Sequence, residues 1–392
     1  MRIPFQLLIA ALLAFSSALH AQSPPVVRVA LDAEFGNKTS SADDAIRIGM
    51  EIAIDEINRA GGVLGGRPLE LVTRDNRGVP ARGVDNLREL AAMPDMTALF
   101  TSKFSPVVLG QLDAAHELHL PLLGPWSAAD GIIDHERKPS YSFRLSLKDG
   151  WVMPHLLNEA KRRGFERVGL LVPNGAWGRS NQRAADAHVA RNPDPVIVKT
   201  IKYEWADTSL ANEYLELIQA GAQAVLVVGN EPEVGLLVQD MASLPTGQWR
   251  PLLSHWGPSA GDLPALAGPV LSKVDLTVVQ TFSFIDNPSP RARQVLQAAM
   301  SKLGVSEPGR VLSAVGVAHA YDLVHILAMA IDKAGSTDRT RIRDALEHLG
   351  AMDGLIRKYD PPFTVGRHEA LGPEQLFMAR WRRDGAIVRA DQ

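Results

Sequence analysis

Between Ser40 and Val72 the chain reads S-S-A-D-D-A-I-R-I-G-M-E-I-A-I-D-E-I-N-R-A-G-G-V-L-G-G-R-P-L-E-L-V. Ile46, Met50, Ala53, Ile54 and Ile57 recur at helical spacing and form one apolar stripe, with Arg47, Glu51, Asp55 and Glu56 on the other side. Ser40 or Ser41, with Asp43 or Asp44 three residues on, can satisfy the free N–H groups of the first turn. Gly61-Gly62 stops the helix, and Gly65-Gly66-Arg67-Pro68 turns the chain into a strand over Leu69–Val72. Upstream, Val26–Leu31 is a second strand. Strand, loop, amphipathic helix, strand means two parallel strands covered by the helix. The first loop, Asp32–Lys38, has no glycine-rich phosphate cradle, so a nucleotide is not indicated.

The same rhythm continues at roughly 25–30 residues per unit, as a doubly wound α/β layer requires. Helices are expected at Ala81–Ala92 and Pro106–Leu118, and strands at Ala98–Thr101 and Leu120–Gly124. After Tyr141–Leu145 the pattern restarts with a helix at Trp151–Arg163 and a strand at Arg167–Val172. A helix over Gly178–Arg191 and further alternation follow, as far as a strand at Leu276–Gln280. Pro290–Leu303 and Ser313–Ala334 are two long helical patterns, and Leu376–Trp381 with Ala386–Val388 form a hairpin around Arg383-Asp384-Gly385.

Composition narrows the function. Across 392 residues, 46% are apolar and 22% charged, ample for real cores. The net charge of −3 argues against a nucleic-acid binder. With no cysteine there is no disulfide and no thiolate metal site. Arg2, the apolar run Phe5–Leu19 and the small residues up to Ala21 read as a signal peptide over residues 1–21, cleaved after Ala21, so the mature protein is expected to be exported to the periplasm.

Several segments resemble one family. G-M-E-I-A-I-D-E-I-N-R-A-G-G-V-L-G-G-R-P-L-E-L-V is similar to the opening of the type I periplasmic solute-binding proteins, the branched-chain amino-acid receptors of ABC importers. V-G-L-L-V-P-N-G-A-W-G resembles their second-lobe strand and aromatic-glycine loop, A-V-L-V-V-G-N-E-P-E-V-G-L-L-V-Q-D-M the strand and helix after it, and L-F-M-A-R-W-R-R-D-G the closing hairpin. The resemblance implies two doubly wound Rossmann-like lobes joined by three crossover strands, with a solute held between them. Lobe 1 would be residues 26–145 plus 285–354, and lobe 2 residues 146–284 plus 355–392. The crossings would fall near Leu145–Lys148, Thr281–Asn287 and Gly354–Pro362. It also implies a monomer working with an inner-membrane ABC permease and its ATPase, with no cofactor and no catalysis. A ligand-sensing regulator on the same fold is the alternative.

Two constellations compete with a receptor. Gly257-Pro258-Ser259-Ala260-Gly261 matches a G-x-S-x-G nucleophile elbow, which would make Ser259, with Asp322 and His368, a hydrolase triad. Pro258 fixes φ where that tight turn must form, which counts against it. His116-Glu117-Leu118-His119 is one residue short of the zinc motif H-E-x-x-H, so no metal site is assigned.

In an open α/β sheet small ligands sit beyond the carboxyl ends of the strands. Those loops here carry Lys103-Phe104-Ser105, Trp126-Ser127-Ala128, Trp177, Asn230-Glu231 and His255-Trp256. The resemblance implies ligand contacts from Ser105, Trp126, Ser127, Ala128, Trp177, Asn230, Trp256 and Phe284. Trp126 and Trp177 are expected to face one another across the cleft. Ser105, Ser127, backbone N–H groups and Lys103 can still serve a carboxylate. The position of the family's ammonium-binding glutamate is taken by Trp256, and Pro173-Asn174 replaces its aspartate. The expected solute is therefore uncharged or anionic, such as an aromatic acid, in preference to leucine, isoleucine or valine.

Overall fold

The computed structural model describes residues 25–285 and 287–391. The proposed signal peptide lies outside the described residues. Two sheets organise the chain. The first has five strands in the order β2-β1-β3-β4-β5, all parallel: β1 (Val27–Ala33), β2 (Leu69–Asp75), β3 (Met96–Thr101), β4 (Leu122–Gly124) and β5 (Ser142–Arg144). The helices between them are α1 (Ala42–Arg59), α2 (Pro80–Ala91) and α3 (Ser105–Glu117).

The chain then passes through Leu145–Lys148 into α4 (Asp149–Arg162) and the second sheet. That sheet is built from β6 (Arg167–Pro173), α5 (Ala176–Val189), β7 (Val196–Tyr203), α6 (Ala211–Gln219), β8 (Ala224–Val227), α7 (Glu231–Ala242), β9 (Leu252–Ser254), α8 (Leu263–Ala267) and β10 (Leu276–Gln280). It returns through α9 (Pro290–Leu303), α10 (Ala314–Ala334) and α11 (Arg339–Leu346). A small hairpin, β11 (Met352–Asp353) and β12 (Lys358–Tyr359), leads to β13 (Phe377–Trp381) and β14 (Ile387–Arg389), which add to β10 as an antiparallel edge.

The expected stripe of α1 is buried in full, but Ile48 and Ile52 beside it are buried as well. The reason is α10, a long apolar helix that packs along the second face of α1. The two backbones approach so closely at Gly49 that a Cβ there would lie 2.2 Å from the Val317 carbonyl oxygen. Gly49→Ala must force the helices apart, and overpacking of this kind costs about 1–3 kcal/mol or more. A drop in the thermal unfolding midpoint of several degrees is the expected result, and an unchanged midpoint would refute this account of the contact.

The cap of α1 differs from expectation. Ser41 is the N-cap, but its hydroxyl bonds the Ala260 carbonyl (3.3 Å) and the Ser313 hydroxyl (2.8 Å), and makes no cap bond to the first turn. The carboxylate of Asp43 accepts from the backbone N–H groups of Glu34 (2.9 Å) and Lys103 (2.7 Å). These side chains fasten neighbouring loops together.

The segment around the third expected crossing, Gly354–Pro362, is held by α10. Asp322 on α10 accepts from the N–H groups of Leu355 and Ile356 and from the Tyr359 hydroxyl. Residues 368–370 then run beside β5: Arg144 N–H donates to the His368 carbonyl, and Ala370 N–H to the Arg144 carbonyl, each at 2.8 Å. Backbone pairing keeps this segment on the first sheet until the chain turns toward β13.

Candidate functional site

The carboxyl ends of both sheets meet at one junction. Ser41 N–H donates to the Ala260 carbonyl (2.7 Å), Asp130 N–H to the Ser180 hydroxyl (3.2 Å), and the Lys103 ammonium lies 3.6 Å from the Glu231 carboxylate. Each contact joins a segment that follows a strand of the first sheet to one that follows a strand of the second.

Aromatic rings run through this junction. Trp126, on the loop after β4, lies with its ring centroid 4.7 Å from that of Trp256, on the loop after β9, the planes tilted by 33°. Trp256 also touches His319 of α10. Trp177 lies edge-on to His255 at 5.0 Å and parallel to Trp205 at 6.4 Å, and Trp205 in turn meets Phe104 at 5.9 Å. Trp126 and Trp177 therefore lie in one aromatic chain without being partners. Trp256 occupies the place opposite Trp126, because its loop enters between them, and Gly257 lets it approach the Gly229 carbonyl closely. Trp205, at the carboxyl end of β7, was not anticipated, although its position after a strand is the same signal that marked the other three.

The remaining expected contacts divide. Ala128 is buried at the junction, and its carbonyl accepts from Asp149 N–H. The Ser127 hydroxyl donates its proton to the Ser102 carbonyl (2.7 Å), and the Ser105 hydroxyl accepts from Ala129 N–H (3.3 Å). These hydroxyls hold the loop together, which removes Ser127 as a donor to a carboxylate. Asn230 is the N-cap of α7, and its backbone N–H bonds the Glu233 carboxylate. Phe284 is apart from the rest: it packs edge-on to Phe282 in an apolar pocket with Phe377, Trp381 and Ile387. Thr281, just past the end of β10, is the residue of this passage whose hydroxyl reaches His319.

Buried carboxylates are what the sequence did not reveal. Asp149, at the start of α4, is fully buried; its Oδ1 accepts from Trp177 Nε1 and from His255 Nε2, both at 3.1 Å, and its Oδ2 has no partner. His255 Nδ1 accepts from Trp256 N–H, which assigns the ring proton to Nε2. Glu231 is also fully buried, and neither oxygen makes a well-formed hydrogen bond, with the Lys103 ammonium 3.6 Å away. Burial raises its pKa, while Lys103 acts in the opposite direction. Burial likewise pushes Asp43 up to about 7 and, with help from nearby Asp149, Asp130 up to about 6. Glu231 stands beside Asn230 in a loop already singled out, whereas Asp149 lies between an expected crossing and an expected helix and carried no motif.

The hydrolase arrangement is not assembled. Ser259 Oγ donates to the Trp256 carbonyl and accepts from Gln280, Asp322 serves residues 355–359, and His368 bonds Ser142 and Glu347. His116 is likewise engaged through both ring nitrogens, by the Leu112 carbonyl and Tyr141 N–H.

A family model described as periplasmic binding protein matches residues 27–386. A Leu/Ile/Val-binding protein homologue of Brucella melitensis is 22% identical over 84% of each chain. Among solved structures, a periplasmic binding protein type 1 from Bordetella pertussis Tohama I superposes with a TM-score of 0.82 at 19% identity, covering 93% of this chain and 99% of the other. An ABC-transporter solute-binding protein of R. palustris in complex with benzoate does so with 0.76 at 15% identity, covering 93% and 95%. With the match extending over nearly all of the described residues, the chain belongs to the periplasmic binding protein family.

Proposed function

We propose that this protein is an exported receptor that takes up one small organic solute between its two lobes, closes on it, and presents it to an ABC permease and its ATPase as a monomer in the periplasm. The observation that carries the reading is the aromatic chain from Phe104 to Trp126, which lies where the strand ends of both lobes meet. Such rings suit a flat or unsaturated solute, in keeping with the benzoate held by the R. palustris protein. The contact set we assign is Trp126, Ala128, Trp177 and Trp256 from the sequence expectation, joined by Trp205, Asp149 and His255. Ser105, Ser127 and Asn230 support it, and Phe284 belongs to the hinge.

We assign residues 26–145 and about 285–370 to lobe 1, and 146–284 with about 377–391 to lobe 2. The third crossing then lies between 371 and 376, after the pairing with β5 ends.

A thermal-shift screen of small metabolites tests the receptor reading, because a ligand that binds only the native state raises apparent stability by RT ln(1 + [L]/Kd). A stabilising solute without turnover is expected. Ester or amide hydrolysis that disappears in Ser259→Ala would overturn it. Trp177→Ala should weaken the solute found by about tenfold or more, since a buried aromatic face contributes on the order of 1–3 kcal/mol. Calorimetric titration of the folded variant reads this, and unchanged affinity removes Trp177 from the contact set.

A further inference from the structure

Of the buried carboxylates at the junction, Asp149 stands apart: among the described residues it has no lysine or arginine ion pair, and its Oδ2 has no donor. Glu231 has Lys103 at 3.6 Å. Asp43 accepts two backbone N–H groups. Asp130 accepts from Gly150 N–H at 2.9 Å. Asp149 alone of these has one oxygen fully used and the other bare, with its side chain excluded from solvent.

The basic groups nearby are already engaged. Arg144 gives its guanidinium to Glu369 and to the carbonyls of Ser127 and Ala129. Lys148 pairs with Asp134 at 2.9 Å. The ring of His255 offers Asp149 a single N–H, directed at the oxygen that Trp177 also serves. A buried carboxylate oxygen without a donor is unfavourable by at least the desolvation of that atom. Around it stand Trp177, His255 and, next in the aromatic chain, Trp256 and Trp126, whose π-faces attract cations and repel anions.

We infer that Asp149 is the polar anchor of the solute site and that the solute presents a cationic or N–H-bearing nitrogen to its Oδ2. This deepens the receptor reading and rests on it. The solute class is an amine or related organic base with an aromatic or unsaturated body, held by one carboxylate and flat rings. A solute carboxylate would meet Asp149 and Glu231 with Lys103 already paired, and Ser127 has no proton to give.

The test uses the full mature chain and three probes of one shape: phenethylamine, 2-phenylethanol and 3-phenylpropionate, titrated at pH 7.5 and followed by calorimetry and tryptophan emission. The amine is expected to bind about tenfold or more tighter than either of the others. Asp149→Asn, checked for an unchanged near-ultraviolet circular dichroism spectrum, should reduce amine affinity by about tenfold while changing alcohol affinity by less than about threefold. Binding of the acid or the alcohol at least as tightly as the amine overturns this inference and leaves the receptor reading in place. An amine affinity that ignores Asp149→Asn also overturns it. If none of the three binds, this inference and the aromatic-solute reading fall together, while the metabolite screen still decides the receptor. Should the variant not fold, the ranking of the three probes on the natural protein decides alone.

Discussion

Glu369→Gln is expected to lower the unfolding free energy by about 3–5 kcal/mol, because it leaves a fully buried guanidinium without its counter-charge. Arg144 has no exposed surface, and its Nε and Nη2 meet the two Glu369 oxygens at 2.9 and 2.6 Å. Its Nη1 donates to the Ser127 and Ala129 carbonyls at 3.1 and 3.0 Å. Arg144→Met should be at least as damaging, since it strands the Glu369 carboxylate and also two carbonyls of the loop that carries Trp126. The double variant Arg144→Met/Glu369→Met should lose clearly less than the sum of the singles. Apolar replacement of both partners removes the charge penalty and leaves only the lost carbonyl bonds, about 1–3 kcal/mol each. Denaturant unfolding of Arg144→Met, Glu369→Met and the double variant closes the cycle, and additive losses would mean that the two side chains do not act as a pair.

Local pattern was enough for the scaffold and for part of the site. Apolar spacing in α1, the strand runs of β1, β3 and β6 and the turn at Asp384-Gly385 are properties of short windows, and the structure repeats them within a residue or two. Three of the tryptophans could be placed because they follow strands, and strand ends converge in a doubly wound sheet. Pairing across the junction could not be read. Whether Trp126 meets Trp177 or Trp256 depends on how deeply the β9 loop reaches, which Gly257 decides by its contact with the Gly229 carbonyl. The hydroxyls of Ser41 and Ser127 look like a cap and a ligand donor in sequence, and both are taken by carbonyls distant in the chain. Asp149 shows the same limit in reverse. A lone acid at a helix start reads as an ordinary surface residue until Trp177 and His255, from two other segments, are seen to converge on it.

Lys103→Met is expected to weaken solute affinity by about thirtyfold or more while lowering thermal stability only modestly. Glu231 comes from the start of α7, assigned above to lobe 2, and Lys103 from the loop after β3, assigned to lobe 1, so on that assignment they meet only when the lobes are together. Without the ammonium, the closed arrangement holds a fully buried carboxylate with no counter-charge. Glu231 has two ways to escape that state. It can take up a proton, which its raised pKa already favours, or the lobes can part and let water reach it. Neither requires unfolding, so the effect falls on closure. A differential penalty of about 2 kcal/mol moves that equilibrium by roughly thirtyfold. The sign with pH follows from the first route. In the variant the closed form holds a proton that the open form releases, so affinity is best retained in acid and lost as pH rises through the raised pKa of Glu231. Glu231→Gln in the same chain removes the charge that Lys103 was opposing and should restore most of the affinity and abolish the added pH dependence. Solute titrations at pH 6 and pH 8, with the radius of gyration from solution scattering, read both quantities. If Lys103→Met binds as tightly as the natural protein at pH 8, the pair plays no part in holding the lobes closed.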